Sequence, residues 1–371
     1  MAQNTLGHLL RLTTFGESHG LAIGGVIDGL PAGIRIDFDY ITHQLLRRAT
    51  GAGIHASSRT EDDVPEILSG VFEGQTIGTP LAFIIRNRDA RSGDYTELRN
   101  TFRPSHADLT YTLKYGIRDH RGGGRSSARE TATWVTAGAI MEPWLKNQGI
   151  SIVAYVSSIG EIEAPEDIPI PSREEVEASI LACPHTGSQE RMLGLLQHIR
   201  EAGDSIGGVI SARITGLPSG LGEPVFGKFH ALLGQAMLSI PAVKGVEFGE
   251  GFKASRLRGS QHNDPIIGLD EDQRAHTSSN HAGGLLGGIS NGEDLTFRIA
   301  FKPVASIALP QTTINSEGKE HTLKIEGRHD ACPVPRAVPV VESLAALVTA
   351  DLLLQQQVHR NSGQQNAPYH G

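Results

Sequence analysis

Arg121-Gly-Gly-Gly-Arg-Ser-Ser-Ala-Arg-Glu130 is the most telling stretch of the 371-residue chain. Three glycines in a row let the backbone close into a tight concavity with its N–H groups turned one way, a shape that attracts anions. Ser127-Ala-Arg-Glu130 has the spacing of a capping box and predicts a helix over 127–147, whose positive end adds to the same site. Arg118, Arg121, Arg125 and Arg129 supply forked donors that match phosphate and carboxylate. An ordinary capped helix behind a flexible loop could carry the same residues, so the stretch alone nominates an anion site ahead of a helix and no more.

Outward from this stretch, apolar periodicity predicts helices at 38–48, 173–182, 188–202, 228–239 and 339–357. Alternating or continuous apolar runs predict strands at 8–15, 22–28, 66–72, 81–86, 151–159, 207–215 and 295–302. Gly24-Gly-Val-Ile-Asp-Gly-Leu-Pro-Ala-Gly33 is echoed by Gly207-Gly-Val-Ile-Ser-Ala-Arg-Ile-Thr-Gly-Leu-Pro-Ser-Gly220 about half the chain later. Two such strand-turn units suggest two similar halves, although a common turn can recur by chance. The fold class expected is α/β (α+β), as one unit over 1–357 followed by a polar, disordered tail at 358–371.

Bulk properties exclude several classes. Hydrophobic residues make up 39% and charged residues 20%, enough for a core and a soluble surface. The net charge of −8 argues against a general nucleic-acid binder. Two cysteines, Cys183 and Cys332, cannot make a four-cysteine zinc site, and no HExxH motif is present, so no metal is expected. Neither a signal peptide nor an uninterrupted apolar stretch of membrane length is seen, so the expectation is a cytoplasmic protein with no membrane partner.

Other motifs carry candidate chemistry. In Thr14-Phe-Gly-Glu-Ser-His-Gly20, Ser18 adjoins His19; on a strand adjacent side chains face opposite ways, so a Ser–His nucleophilic pair is not expected. Arg103-Pro-Ser-His-Ala-Asp108 offers His106 as a second imidazole able to transfer protons near neutral pH. Asp351 falls on the apolar stripe with Leu344, Leu347 and Val348, where a carboxylate is either a functional acid or base or a cap. Gly284-Leu-Leu-Gly287 is not the dinucleotide-binding GxGxxG pattern. Gly222 to Lys228 resembles a P-loop, but Phe229 stands where Ser or Thr must hold Mg²⁺, which argues against ATP or GTP hydrolysis.

Taken together, Thr14–Gly20, Ile67–Gly74, Phe102–Asp108, Arg121–Thr131, Gly283–Gly292 and Gly327–Asp330 resemble the chorismate synthase family, in that family's order and over nearly the whole chain. The resemblance implies a β-α-β sandwich with internal pseudo-two-fold symmetry, assembled as a homotetramer. It implies a lyase that converts 5-enolpyruvylshikimate 3-phosphate to chorismate and phosphate with reduced FMN, the last common step towards the aromatic amino acids. It puts flavin contacts at Arg125, Ser126, Ser127, Pro241, Ala242, Gly287, Lys302, Pro303, Val304, Ala305, Ser306 and Arg328. It assigns proton transfer to His19 and His106, with a relay through Ser18, Ser127 and Asp351. Substrate or NADPH contacts fall on Arg48, Arg129 and Arg336.

The chain also departs from the family pattern. After Arg47-Arg48 it reads Ala49-Thr-Gly-Ala-Gly-Ile-His-Ala, with Ile54 where a second basic contact is expected. His120 and Pro241 replace a customary Tyr and a polar residue. The altered loop keeps two alternatives open: a flavin-binding paralogue with another substrate, and a non-catalytic binding protein. It also favours a separate flavin reductase over NADPH as the direct reductant.

Overall fold

The computed structural model describes residues 4–49, 63–87, 97–166, 169–325 and 330–361. A first antiparallel sheet contains β1 (Thr5–Leu6), β2 (Arg11–Gly16), β3 (Ala22–Asp28), β4 (Pro65–Ile67) and β7 (Leu81–Arg86), ordered β1-β2-β3-β7-β4. A small hairpin, β5 (Val71–Phe72) with β6 (Gln75–Thr76), sits between β4 and β7 in the chain. The second antiparallel sheet contains β8 (Ser151–Ile159), β9 (Ile162–Glu163), β10 (Gly208–Thr215), β11 (Val243–Phe248) and β16 (Leu295–Phe301), ordered β11-β16-β10-β8-β9. Three further hairpins decorate this half: β12 (Ile266–Leu269) with β13 (Ala275–Thr277), β14 (Leu285–Leu286) with β15 (Ile289–Ser290), and β17 (Gln311–Ile314) with β18 (Glu320–Leu323).

The helices are α1 (Phe38–Arg48), α2 (Asp108–Tyr115), α3 (Thr131–Asn147), α4 (Arg173–Glu177), α5 (Thr186–Glu201), α6 (Phe229–Leu238), α7 (Gly259–His262) and α8 (Val334–Asn361). Helix α3 touches both β3 and β8, and α8 packs on β8, β10, α1, α3 and α6. A helical layer therefore lies between two sheets, as the resemblance implied. The halves also repeat: β2, β3, α1, β4, β7 and α3 follow the same route as β8, β10, α6, β11, β16 and α8. The two Gly-Leu-Pro turns end the equivalent strands β3 and β10. Gly29 and Gly216 both have positive φ there, and a Cβ on either would lie within 2.0 Å of a backbone oxygen.

Strand burial follows the pleat. Leu81, Phe83 and Ile85 on β7, and Leu295, Phe297, Ile299 and Phe301 on β16, alternate inward with more exposed neighbours. Helix α8 is long and apolar enough to cross a membrane, but nearly all of it is buried as the centre of this core. Buried Glu342 on α8 accepts from Arg47 of α1 (2.6 Å) and from the Ala154 N–H of β8 (3.0 Å), joining three elements.

Several boundaries differ from expectation. Helix α8 begins at Val334, ahead of the expected start at 339: Pro335 falls in the first turn, where a missing N–H costs little, and Pro339 lies inside the helix, where it removes one backbone hydrogen bond without ending it. It runs on to Asn361, past the expected tail boundary at 358. Helix α4 stops at Glu177. Helix α2 and strand β11 were not anticipated; β11 reads Val-Lys-Gly-Val-Glu-Phe and lacks a clean apolar alternation.

Helices α3 and α8 pack tightly at Gly138, where a Cβ would stand 2.3 Å from Ser343 Cβ and 2.5 Å from its Cα. Gly138→Ala should therefore lower the unfolding free energy by about 1–3 kcal/mol, even though alanine's helix propensity alone would raise it by about 1 kcal/mol. Urea unfolding checks this; an unchanged or higher midpoint contradicts the close packing.

Candidate active site

The 121–130 stretch is a loop of two 3₁₀ turns, Gly124–Ser126 and Ala128–Glu130, and α3 begins only at Thr131. Ser127 caps the second turn by accepting from the Arg129 N–H (3.2 Å), but the reciprocal half of the capping box is not made. Glu130 turns to Arg125, and accepts from the Trp134 indole N–H (3.2 Å) instead. Burial in this position raises the Glu130 pKa, and its contacts with Thr14 and Arg125 offset that only in part.

The loop does form a concavity. Gly122 and Gly124 have positive φ. Carbonyl oxygens are the groups the protein uses: Gly122 O accepts from Arg103 (2.8 Å), Gly123 O from the Ser126 hydroxyl (2.8 Å), and Gly124 O from the Ser18 N–H (3.3 Å). Among the described residues no protein acceptor takes the N–H groups of Gly122, Gly123 or Gly124.

This loop packs on the segment after β2. Residues 17–20 form a turn closed by Gly20 N–H to Glu17 O (3.0 Å), not a strand. Ser18 and His19 therefore point to one side, and Ser18 Oγ lies 3.0 Å from His19 Nδ1. The expectation that they could not pair is corrected by that turn. A Cβ on Gly122 would come within 2.5 Å of His19 Cε1, so only glycine allows the loop this close.

Arg118, Arg121 and Arg125, expected to face an anion, are already engaged, as is the neighbouring Arg103. Arg103 makes a forked contact with Asp108 (2.7 and 2.9 Å), and Arg118 donates to the same carboxylate (3.0 Å). His106 Nδ1 lies 3.0 Å from Asp108 Oδ1, off the line of a good hydrogen bond. Burial pushes the Asp108 carboxyl upward, but the hydrogen bonds from Arg103 and the nearby His106 ring outweigh it and hold the group well below the usual carboxylate range. Arg121 is exposed and paired with Asp119. Arg125 turns inward to Thr14 O (2.8 Å), Thr14 Oγ1 (2.6 Å) and Glu130, on the wall of a cavity of about 440 Å³.

A second cluster gathers the expected substrate contacts. Arg48 donates to Asp63 (3.0 Å), Thr131 Oγ1 (2.9 Å) and Ala128 O (2.9 Å). Arg129 pairs with the other oxygen of Asp63 and donates to Asn87 Oδ1 (3.0 Å). The Asn87 amide in turn bonds Glu17 O and Gly20 O, on either side of Ser18 and His19. Arg336 pairs with Asp330 and reaches Arg48 O (3.3 Å).

A third group comes from the second half of the chain. Ala242 O accepts from the Lys302 N–H (2.9 Å), and Lys302 Nζ lies 3.4 Å from both Ser105 O and Pro303 O. Val304 O is anchored by the Ser205 hydroxyl (2.9 Å). Burial, then Lys244, lowers the Lys302 pKa. Its ammonium faces carbonyls and no carboxylate among the described residues. Together with the open N–H groups of the glycine loop, this donor set fits an anionic, phosphorylated cofactor.

Asp351 lines the same cavity as Arg125, whereas Gly287 stands apart from the groups above. Asp351 accepts the N–H groups of His8 (2.9 Å), Leu9 (2.8 Å) and Leu10 (2.9 Å), and the Gln355 amide. These bonds anchor the N-terminal segment and hold the carboxylate in place on the otherwise apolar face of α8. Gly287, in the β14–β15 turn, sits beside the start of α6, whereas Pro241 and Ala242 follow its end, about 15 Å away for ten helical residues. Arg328 and Ile54 lie outside the described residues. Conversely, Asp63, Asn87, Arg103, Asp108 and Asp330 were missed as site residues; Arg103 and Asp108 flank His106 in a quoted motif, whereas nothing near Asp63 or Asn87 in the chain signals their role. Among the described residues no cluster of His, Cys, Asp or Glu could hold a metal.

A family model described as chorismate synthase matches residues 10–354. The chain belongs to the chorismate synthase family. The chorismate synthase of Phocaeicola vulgatus is 50% identical over 351 residues, covering 95% of this chain and 98% of its own. That of Christiangramia forsetii is 51% identical over 357 residues, covering 96% and 99%. A crystal structure of chorismate synthase superposes with a TM-score of 0.74 at 34% identity, covering 94% of this chain and 93% of that one. The sandwich of repeated halves is accordingly the fold of this family.

Proposed function

We propose that this chain converts 5-enolpyruvylshikimate 3-phosphate to chorismate and phosphate by an anti 1,4-elimination that requires reduced FMN. One observation carries the reading at the level of chemistry: two imidazoles are tied to one glycine loop, His19 by packing and His106 through Asp108 and Arg103. His19 packs on Gly122, whose carbonyl is held by Arg103 on the same carboxylate as His106.

The substrate bears two carboxylates and a phosphate, so an acidic protein must concentrate fixed positive charge where it binds. Arg48, Arg129 and Arg336 are the proposed contacts, prepositioned by Asp63, Asn87 and Asp330. Such preset donors stabilise charge on the departing phosphate without reorganising during the reaction. Ser126, Ser127, the glycine N–H groups and the segment Lys302 to Ser306 hold the cofactor's anionic end. Arg125 joins them by exchanging its Glu130 partner, and Pro241 and Ala242 line the same side. When bound, reduced FMN supplies electron density to the reacting ring and accepts its proton. His19, steadied at Nδ1 by Ser18, gives a proton to the leaving phosphate. His106 holds the proton exchanged beside the cofactor.

We further propose one catalytic unit over 1–357 and a homotetramer, in which Gly287 of one copy can approach a flavin held by another. The test is anaerobic: purified protein, reduced FMN and substrate are mixed, and chorismate and phosphate are followed. Equal yields of the two support the reading; tight flavin binding without chorismate points to a flavin-binding paralogue. Replacing reduced FMN by oxidised FMN and NADPH decides whether the chain needs a separate reductase. Ile54→Arg is expected to lower the substrate KM about tenfold, the value of one charge-assisted hydrogen bond. An unchanged KM means that this position does not reach the substrate.

A further inference from the structure

We propose that Asp108 is a positioning residue for the proton-transfer machinery, setting the ring of His106 and, through Arg103, the loop that packs against His19. The inference rests on the reading of His106 and His19 as proton-transfer groups.

Asp108 is the first residue of α2 and is buried. Its Oδ2 accepts from Arg103 Nε (2.7 Å) and the Arg103 backbone N–H (3.1 Å). Its Oδ1 accepts from Arg103 (2.9 Å) and Arg118 (3.0 Å) and faces His106 Nδ1 at 3.0 Å. Four hydrogen bonds and the end of a helix fix the carboxylate without any help from the histidine. A fixed carboxylate 3.0 Å from Nδ1, though off the line of a good hydrogen bond, favours by its charge the ring form with its proton on that nitrogen and leaves Nε2 as the working atom. The same bonds hold the loop between Arg103 and Asp108 in shape, including Ser105 at φ +58°, a left-handed conformation that a serine does not favour. The Ser105 carbonyl is also a neighbour of Lys302 Nζ, so one carboxylate orders His106 beside the proposed cofactor cation.

The second arm runs through Arg103. Its guanidinium bridges Asp108 to Gly122 O (2.8 Å), and Gly122 lies directly on the His19 ring. A shift of Arg103 would move the wall behind His19. Both histidines thus take their position from one buried anion.

Two measurements on the full-length protein test this. In ¹⁵N spectra of the wild type above the imidazole titration, His106 is expected with its proton on Nδ1; a proton on Nε2 overturns the proposal and needs no variant. Asp108→Asn is then expected to lower kcat about 30-fold while KM changes less than about threefold, the scale of losing a carboxylate behind a working histidine. In a His106→Ala background the same substitution should cost less than about threefold, because only the His19 arm remains to be lost. Losses that multiply fully in the double variant, or a weakened flavin affinity with kcat unchanged at saturating flavin, overturn it. A wild-type protein that makes no chorismate would sink the functional reading instead, and the ¹⁵N result would still decide the role of Asp108.

Discussion

Gly122→Ala should lower turnover by about 100-fold or more while leaving the protein folded, since displacing a catalytic group by 1 Å costs about that much. The added methyl would sit 2.5 Å from His19 Cε1, 2.7 Å from His19 Nδ1 and 3.2 Å from Ser18 Oγ. The ring cannot simply swing away, because Ser18 holds Nδ1 and the imidazole is buried. The loop cannot retreat freely either, since Gly122 O is tied to Arg103 and Gly124 O to Ser18. The alanine must also take φ +74°, which adds roughly 1–2 kcal/mol of strain confined to a loop. Thermal unfolding and single-turnover rates separate the two effects: a modest fall in Tm with a large fall in rate is expected. A rate within about threefold of wild type would show that His19 does not depend on this contact.

Asp63→Asn should lower stability by about 3–5 kcal/mol, the cost of breaking a buried ion pair by removing one partner. Arg48 and Arg129 approach opposite oxygens of this buried carboxylate. Removing its charge leaves two guanidiniums close together in a site shielded from water, where like charges repel more strongly than at the surface. The substrate KM should rise with it, because neither arginine is then held in place before binding. Adding Arg48→Met to Asp63→Asn should recover part of the lost stability by removing one of the two charges. Urea unfolding of the three variants checks this. A single variant within about 1 kcal/mol of wild type, or a double variant less stable than the single, contradicts the shared pairing.

Much of the framework was legible before any coordinates. Strands β3, β7 and β8 and helix α1 fall on the residues that their periodicity marks, because alternation and a 3.6-residue repeat are local consequences of burying one face. The duplicated Gly-Leu-Pro turns pointed to the repeat that the two sheets display. Helix α3 started late because Glu130 found a stronger partner in Arg125 than in the Ser127 backbone, a choice that depends on where β2 places Thr14.

The candidate site divides in the same way. Residue types and their order nominated His19, His106, the glycine loop and the arginines, and they placed the chain in its family. Which charges pair was decided in three dimensions. Asp63 meets Arg129 across 66 residues, and Asp351 meets Leu9 across 342. Ser18 meets His19 because a turn replaces the expected strand. Periodicity records which face of an element is buried; it does not record which distant group arrives there, and a hydrogen bond is set by that arrival to within a few tenths of an ångström. Residue order and periodicity therefore specify most of the elements, their duplication and the chemical inventory of this protein. The tertiary structure alone decided that Asp351 anchors the N-terminal segment, that Asp63 and Asp108 hold the arginines, and that one glycine carries the loop onto His19.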